Sequence, residues 1–233
     1  MSSVKICLAL VFALLLSARA VAAEPPLSLV RGEATQGGLV VFQLADGFSA
    51  SRDGSLLPVT PRGFLVIGFH RDDTAPVTLT LTDAVGQTSD HVITPSIRDY
   101  DIQRIDGLNK NFVTPPEETI ARIKKDRADV IQARAMFSLS DDAVHNGFDW
   151  PLPGRITGIY GSQRILNGKP RQPHYGIDIA AAQGTPVIAS ADGVIAMATD
   201  LYFTGGTIII DHGYYLNSTY SHLKTMTVAA GDT

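Results

Sequence analysis

Short apolar runs separated by polar turn clusters dominate the first third of the chain. Leu39–Leu44 (LVVFQL), Gly63–Phe69 (GFLVIGF) and Val77–Thr82 (VTLTLT) are rich in β-branched and aromatic residues and have strand length. The last run alternates strictly, with Val77, Leu79 and Leu81 on one face and threonines on the other, which is the period of a half-buried strand. Asp46-Gly47, Asp53-Gly54, Pro61–Gly63 and Asp83–Gly86 supply turns between the runs. Strands at this spacing over residues 24–98 predict a small β-sandwich. His70 and His91 fall within it without any ligand spacing, so this part is expected to support or position the rest.

The period then changes. Thr114, Pro115 and Glu117 form a helix-start signature of N-cap, first-turn proline and capping-box acid. Ile120, Ile123, Val130, Ile131, Arg134 and Phe137 follow at helical spacing, with Lys124, Lys125 and Asp126 expected in solvent. This predicts an amphipathic helix over 115–137 within a connector of residues 99–147. The interspersed acids argue against a basic membrane-surface helix. From residue 148 the pattern returns to short strands and glycine turns. Arg155–Tyr160, Gly176–Ala180, Pro186–Ala189, Gly193–Thr199, Thr207–Asp211 and Ser218–Leu223 are the expected strands of a second antiparallel hairpin domain, 148–233. The fold class is therefore mainly β.

The first 23 residues read differently from everything after them. A short basic start, an apolar run over Ile6–Ala18 and small residues at Ala20–Ala23 form a secretory leader. The run is too short to span a bilayer, and Arg19 closes it. No later stretch is apolar enough for a membrane span, so the mature chain is expected to have no transmembrane segment. Export to the periplasm or cell envelope follows. Removing the leader takes Lys5 and Arg19 with it, so the formal charge of −4 becomes −6. An acidic chain argues against nucleic acid as a partner. The single cysteine, Cys7, also lies in the leader, so the mature chain enters an oxidising compartment without disulfides.

Candidate chemistry concentrates after residue 140, where His145, His174, His212 and His222 fall. The sharpest local signal is His174-Tyr-Gly-Ile-Asp178, because neutral imidazole and carboxylate are both good Zn²⁺ ligands. In a straight strand positions i and i+4 lie roughly 13 Å apart. The two side chains can meet on one ion only if the chain bends, and Gly176 stands midway. On spacing alone, a surface histidine and a strand-start aspartate is the simpler reading.

The wider order of motifs changes that balance. Gly158-Ile-Tyr-Gly161, Pro173-His-Tyr-Gly-Ile-Asp178, Gly184-Thr-Pro-Val-Ile-Ala189, Asp192-Gly-Val-Ile195, Gly205-Gly-Thr-Ile-Ile-Ile-Asp-His-Gly213 and Tyr220-Ser-His-Leu223 occur in this sequence. From about Trp150 onward the chain resembles the lysostaphin/LytM-type zinc metallopeptidases, which cleave peptide bonds of bacterial peptidoglycan. The resemblance implies a lysostaphin-type (duplicated-hybrid) domain, with His174 and Asp178 as zinc ligands and His222 as a catalytic histidine. His212 matches a position that is not usually a ligand, and a structural role in a hairpin is expected there. His145 is expected to be a plain loop or helix-end residue.

One departure stands out. The family places its third zinc ligand in a His-x-His motif inside a Gly-rich segment, and the sequence stops at Thr233 without one. The third ligand is therefore expected beyond Thr233, and residues 24–233 alone are expected to bind zinc weakly, to leave peptidoglycan uncut and to expose unpaired backbone over Ser218–Thr233. A degenerate protein is the competing explanation. The resemblance implies peptidoglycan peptides as substrate and cell-wall division proteins as possible partners. Its alternatives are a non-catalytic LytM-like activator of cell-wall amidases, a sugar-phosphotransferase carrier domain, which the leader argues against, and a purely structural envelope protein.

Overall fold

The computed structural model describes residues 25–107 and 117–233. The expected leader and the helix-start residues Thr114 and Pro115 lie outside the described residues.

Two antiparallel sheets build the N-terminal part. One has the order β1 (Leu27–Gly32), β2 (Leu39–Leu44), β5 (Phe64–Gly68). The other runs β4 (Ser55–Leu56), β3 (Ser49–Arg52), β6 (Val77–Thr82), β7 (Thr88–Ile93). Val40, Phe42, Leu44, Leu65 and Ile67 from the first sheet meet Val77, Leu79, Leu81 and Ile93 from the second in one core. The alternation read in β6 is realised, with Val77, Leu79 and Leu81 buried between half-exposed or exposed threonines. Leu79 is fully buried. Leu79→Ala is expected to cost about 2–5 kcal/mol, the usual range for emptying such a site, and urea unfolding checks it.

Strand β2 has no alternation because both its faces are covered. Val41 points away from the sandwich core and packs with Phe64, Val144 and Tyr214. Val144 belongs to a short helix, α2 (Asp142–Asn146), with His145 in its last turn. Tyr214 comes from the C-terminal hairpin, so the second cluster ties the sandwich to the rest of the chain. Arg31 adds donor bonds to the carbonyls of Val144 (3.3 Å) and His145 (2.8 Å), and Arg62 pairs with Asp142 at 2.9 Å.

The longer helix, α1, spans Glu117–Arg134. Val130 and Ala133 pack on Ala196, Met197, Leu201 and Ile209. The expected helix is therefore present but ends before Phe137, whose ring packs on Tyr214 and Tyr215 instead. Asp126, expected in solvent, accepts the Tyr202 amide hydrogen at 2.7 Å. Ile131, expected on the packed face, is exposed.

The C-terminal part contains β9 (Arg155–Gly158) antiparallel to β12 (Asp178–Ala180), and a meander of β13 (Val194–Leu201), β14 (Gly205–Asp211) and β15 (Asn217–Leu223). Pro186–Ala189, expected as a strand, is irregular; Pro186 has no N–H to give a ladder, and the Ile188 amide bonds the Pro151 carbonyl at 3.0 Å instead. The connector also carries a strand, since β8 (Ile102–Ile105) pairs in parallel with β10 (Gln163–Leu166), which turns into β11 (Lys169–Pro170). The segment Ser218–Thr233 is paired in part, because β15 bonds β14 on one side and forms the open edge of its sheet on the other. Near the end the Gly231 amide bonds the Ile195 carbonyl (2.9 Å) while the Ile195 amide bonds the Asp232 carbonyl (2.8 Å). No helix among the described residues is long and apolar enough to cross a membrane.

Tyr214 couples this packing to pH. Burial, reinforced by the charge of Asp141, pushes its phenol above the ordinary value of 10.0. As pH rises past that value the unfolded tyrosine ionises first, which favours unfolding. The Tyr214 contribution to stability is expected to be complete below pH 10 and to be lost as pH climbs through the raised folded value. Denaturant midpoints between pH 9 and 11.5 should fall less steeply in Tyr214→Phe.

Candidate metal centre

His174 and Asp178 come together despite their separation along the chain. The backbone bends at Gly176, and β12 carries a register irregularity against β9 between Asp178 and Ile179. His174 Nε2 and Asp178 Oδ1 stand 3.2 Å apart. Two ligands with bonds of about 2.0–2.2 Å at a tetrahedral angle stand roughly 3.3–3.6 Å apart, so the pair has the spacing of two vertices of a zinc site. Both side chains are partly open to solvent, at 34% and 59%.

The tautomer strengthens the case for a cation between them. His174 Nδ1 lies 3.2 Å from the Ile159 carbonyl oxygen, which can only accept, so Nδ1 carries the hydrogen. In the neutral ring Nε2 is then a bare lone pair facing a carboxylate oxygen. Two acceptors at this distance repel unless a proton or a metal ion sits between them. Donation of the second ring N–H to a backbone carbonyl is the usual way a metal-binding histidine is oriented.

Three hydrogen bonds hold His174 on the turn at residues 159–162. Besides the ring contact, the Gly161 amide donates to the His174 carbonyl (2.7 Å) and the His174 amide donates to the Ser162 carbonyl (2.8 Å). Asp178 is held across from Gly158, its register partner. A Cβ at Gly158 would stand 2.1 Å from Asp178 Oδ2, so only glycine leaves room for the carboxylate where it is.

His222 sits on another sheet. It is exposed, and no hydrogen bond or ion pair joins its ring to His174 or Asp178. Its φ of 60° lies in the left-handed region, where β15 slips register against β14 between Gly206 and Ile208. Such a bulge re-aims a side chain and is common beside active sites. Among the described residues no group of three or more His, Cys, Asp or Glu side chains is arranged to hold a metal ion.

His212 is fully buried and does not share this neighbourhood. Nδ1 meets the Asp192 carbonyl and Nε2 meets Ser218 Oγ, both at 2.7 Å. Ser218 Oγ is 3.0 Å from the Tyr220 hydroxyl oxygen, which accepts the Ser190 amide hydrogen at 2.7 Å. With every ring nitrogen used, His212 stitches the segment at residues 190–192 to the hairpin. Sequence reasoning assigned no role to two contributors to the His174 neighbourhood: Gly158, which admits the carboxylate, and Arg71, which comes from the sandwich.

The structure thus combines a mainly β, antiparallel hairpin fold with a His174–Asp178 pair brought together on a bent segment. Residues 172–233 match the model of Peptidase family M23. Over 103 residues the chain is 44% identical to DD-carboxypeptidase/endopeptidase Mpg of Neisseria meningitidis, covering 44% of this chain and 22% of Mpg. Over 99 residues it is 39% identical to peptidoglycan DD-endopeptidase ShyA of Vibrio cholerae, covering 41% of this chain and 23% of ShyA. The matches thus span less than a quarter of these relatives' length. A crystal structure described as a peptidase M23 from Pseudomonas aeruginosa superposes with a TM-score of 0.61 at 21% identity, covering 86% of this chain and 78% of that one, which establishes the shared fold.

Proposed function

We propose that the protein is an exported zinc endopeptidase that hydrolyses peptide cross-links or stem peptides of bacterial peptidoglycan. The observation that carries this reading is the 3.2 Å approach of His174 Nε2 to Asp178 Oδ1 with Nδ1 anchored on a carbonyl. The family match and the endopeptidase names of Mpg and ShyA support the same substrate class. His174 and Asp178 fit zinc in donor type and spacing and would hold it. Zinc, when present, supplies Lewis-acid polarisation of a carbonyl and lowers the pKa of a coordinated water to about 7. His222, exposed on its bulge with no competing partner, would hold or pass a proton and stabilise the oxyanion as charge develops. A catalytic zinc takes three protein ligands, and the third is not among the described residues. The leader supports action in the periplasm or cell envelope.

The test is digestion of purified sacculi by full-length, zinc-loaded mature protein. New amine ends should appear, vanish on chelation and return with zinc. Digestion that persists under chelation, or no new amine ends at all, would overturn the reading.

A further inference from the structure

We propose that Arg71, in the N-terminal sandwich, is a positioning residue for the metal pair, acting through the turn that orients His174. The inference rests on the reading of His174 and Asp178 as zinc ligands.

Arg71 is 6% exposed, an unusual place for a guanidinium unless its donors are used. Its Nε donates to the Gly161 carbonyl at 2.8 Å. Nη1 pairs with Asp72, and the guanidinium stacks over Tyr100 with Cζ 4.3 Å from the ring centroid. The Gly161 carbonyl and amide belong to the same residue, and the amide donates to the His174 carbonyl. Arg71 is thus two hydrogen bonds from the backbone of the candidate ligand. Gly161 has φ +85°, and a Cβ there would stand 2.0 Å from the Tyr100 ring, so the ring closes the turn on one side while Arg71 holds its carbonyl on the other.

General docking of the sandwich does not explain this contact. Arg31 and Arg62 already join the sandwich to α2, an element separate from the turn. Arg71 instead ends on the residue whose N–H secures His174. Its planar fork keeps Nε and Nη1 in fixed relative directions, which lysine cannot copy.

The test compares Arg71→Gln, Arg71→Lys and Arg62→Ala in the whole chain, with His174→Ala as reference. Zinc affinity is read by competition with a chelating dye, and the ¹⁵N shift of His174 Nδ1 is read in the metal-free protein. Loss of outer support for a ligand typically lowers metal affinity 10–100-fold. Arg71→Gln is expected to lose about tenfold and to shift the Nδ1 signal, with little rescue by Arg71→Lys. Arg62→Ala should leave both readouts unchanged even where its melting temperature drops. Wild-type affinity and an unmoved Nδ1 signal in Arg71→Gln would overturn the proposal, as would an equal loss in Arg62→Ala, which would assign the effect to docking. Should Arg71→Gln fail to fold, the same two readouts on Arg71→Lys decide. If His174→Ala binds zinc like the wild type, the metal reading fails, and the Nδ1 shift alone still decides whether Arg71 orients the ring.

Discussion

His174→Ala is expected to abolish metal-dependent hydrolysis. On the proposed reading the imidazole would supply one vertex of the shell, and its ring is already set by the Ile159 carbonyl with Nε2 aimed at Asp178 Oδ1 3.2 Å away. Alanine leaves a lone, largely exposed carboxylate at the start of β12, which holds zinc no better than any surface aspartate. Lewis-acid assistance is worth several kcal/mol, so release of amine ends from sacculi should drop by about a thousandfold or more. Folding should be little affected, because the ring is partly exposed and makes one side-chain hydrogen bond to the Ile159 carbonyl. Zinc stoichiometry and activity measured on the same preparation check the prediction. A variant that keeps both would remove His174 from the site.

Gly158→Ala is expected to separate the site from stability. The added methyl would stand 2.1 Å from Asp178 Oδ2 and 2.7 Å from its Cγ. The Asp178 side chain is 59% exposed, so the carboxylate can swing away at small cost to the fold. The thermal midpoint should change little. The 3.2 Å pairing with His174 cannot survive the swing, and zinc affinity should fall by about 10–100-fold, the range for disturbing a ligand's support. Equal affinity in Gly158→Ala and wild type would mean that the carboxylate does not act from this position.

Much of the fold was legible because its signals are local. Runs such as LVVFQL and VTLTLT, separated by Asp-Gly and Pro–Gly turns, became β2 and β6 within their expected limits. The helix was legible from its spacing, but Phe137 left it because two tyrosines of the hairpin offered a better surface. Pro186–Ala189 misled because a short apolar run has strand composition whether or not a partner strand comes alongside. The parallel pairing of β8 with β10 was illegible for the same reason, since its partners lie some sixty residues apart and neither advertises the other.

The sequence by itself determined that this is a mainly β chain and placed four of its six histidines after residue 140, while the family resemblance, rather than spacing, singled out His174, Asp178 and His222. It also confined His212 to a hairpin. Only the tertiary structure decided that His174 Nε2 faces Asp178 Oδ1, since that depends on the bend at Gly176 and the room at Gly158. It alone brought Arg71 of the sandwich and Tyr100 of the connector against the turn that carries His174. Side-chain type and local period are written in the chain one residue at a time. The distance between two donor atoms is set by packing among segments far apart in sequence, where no local pattern reaches.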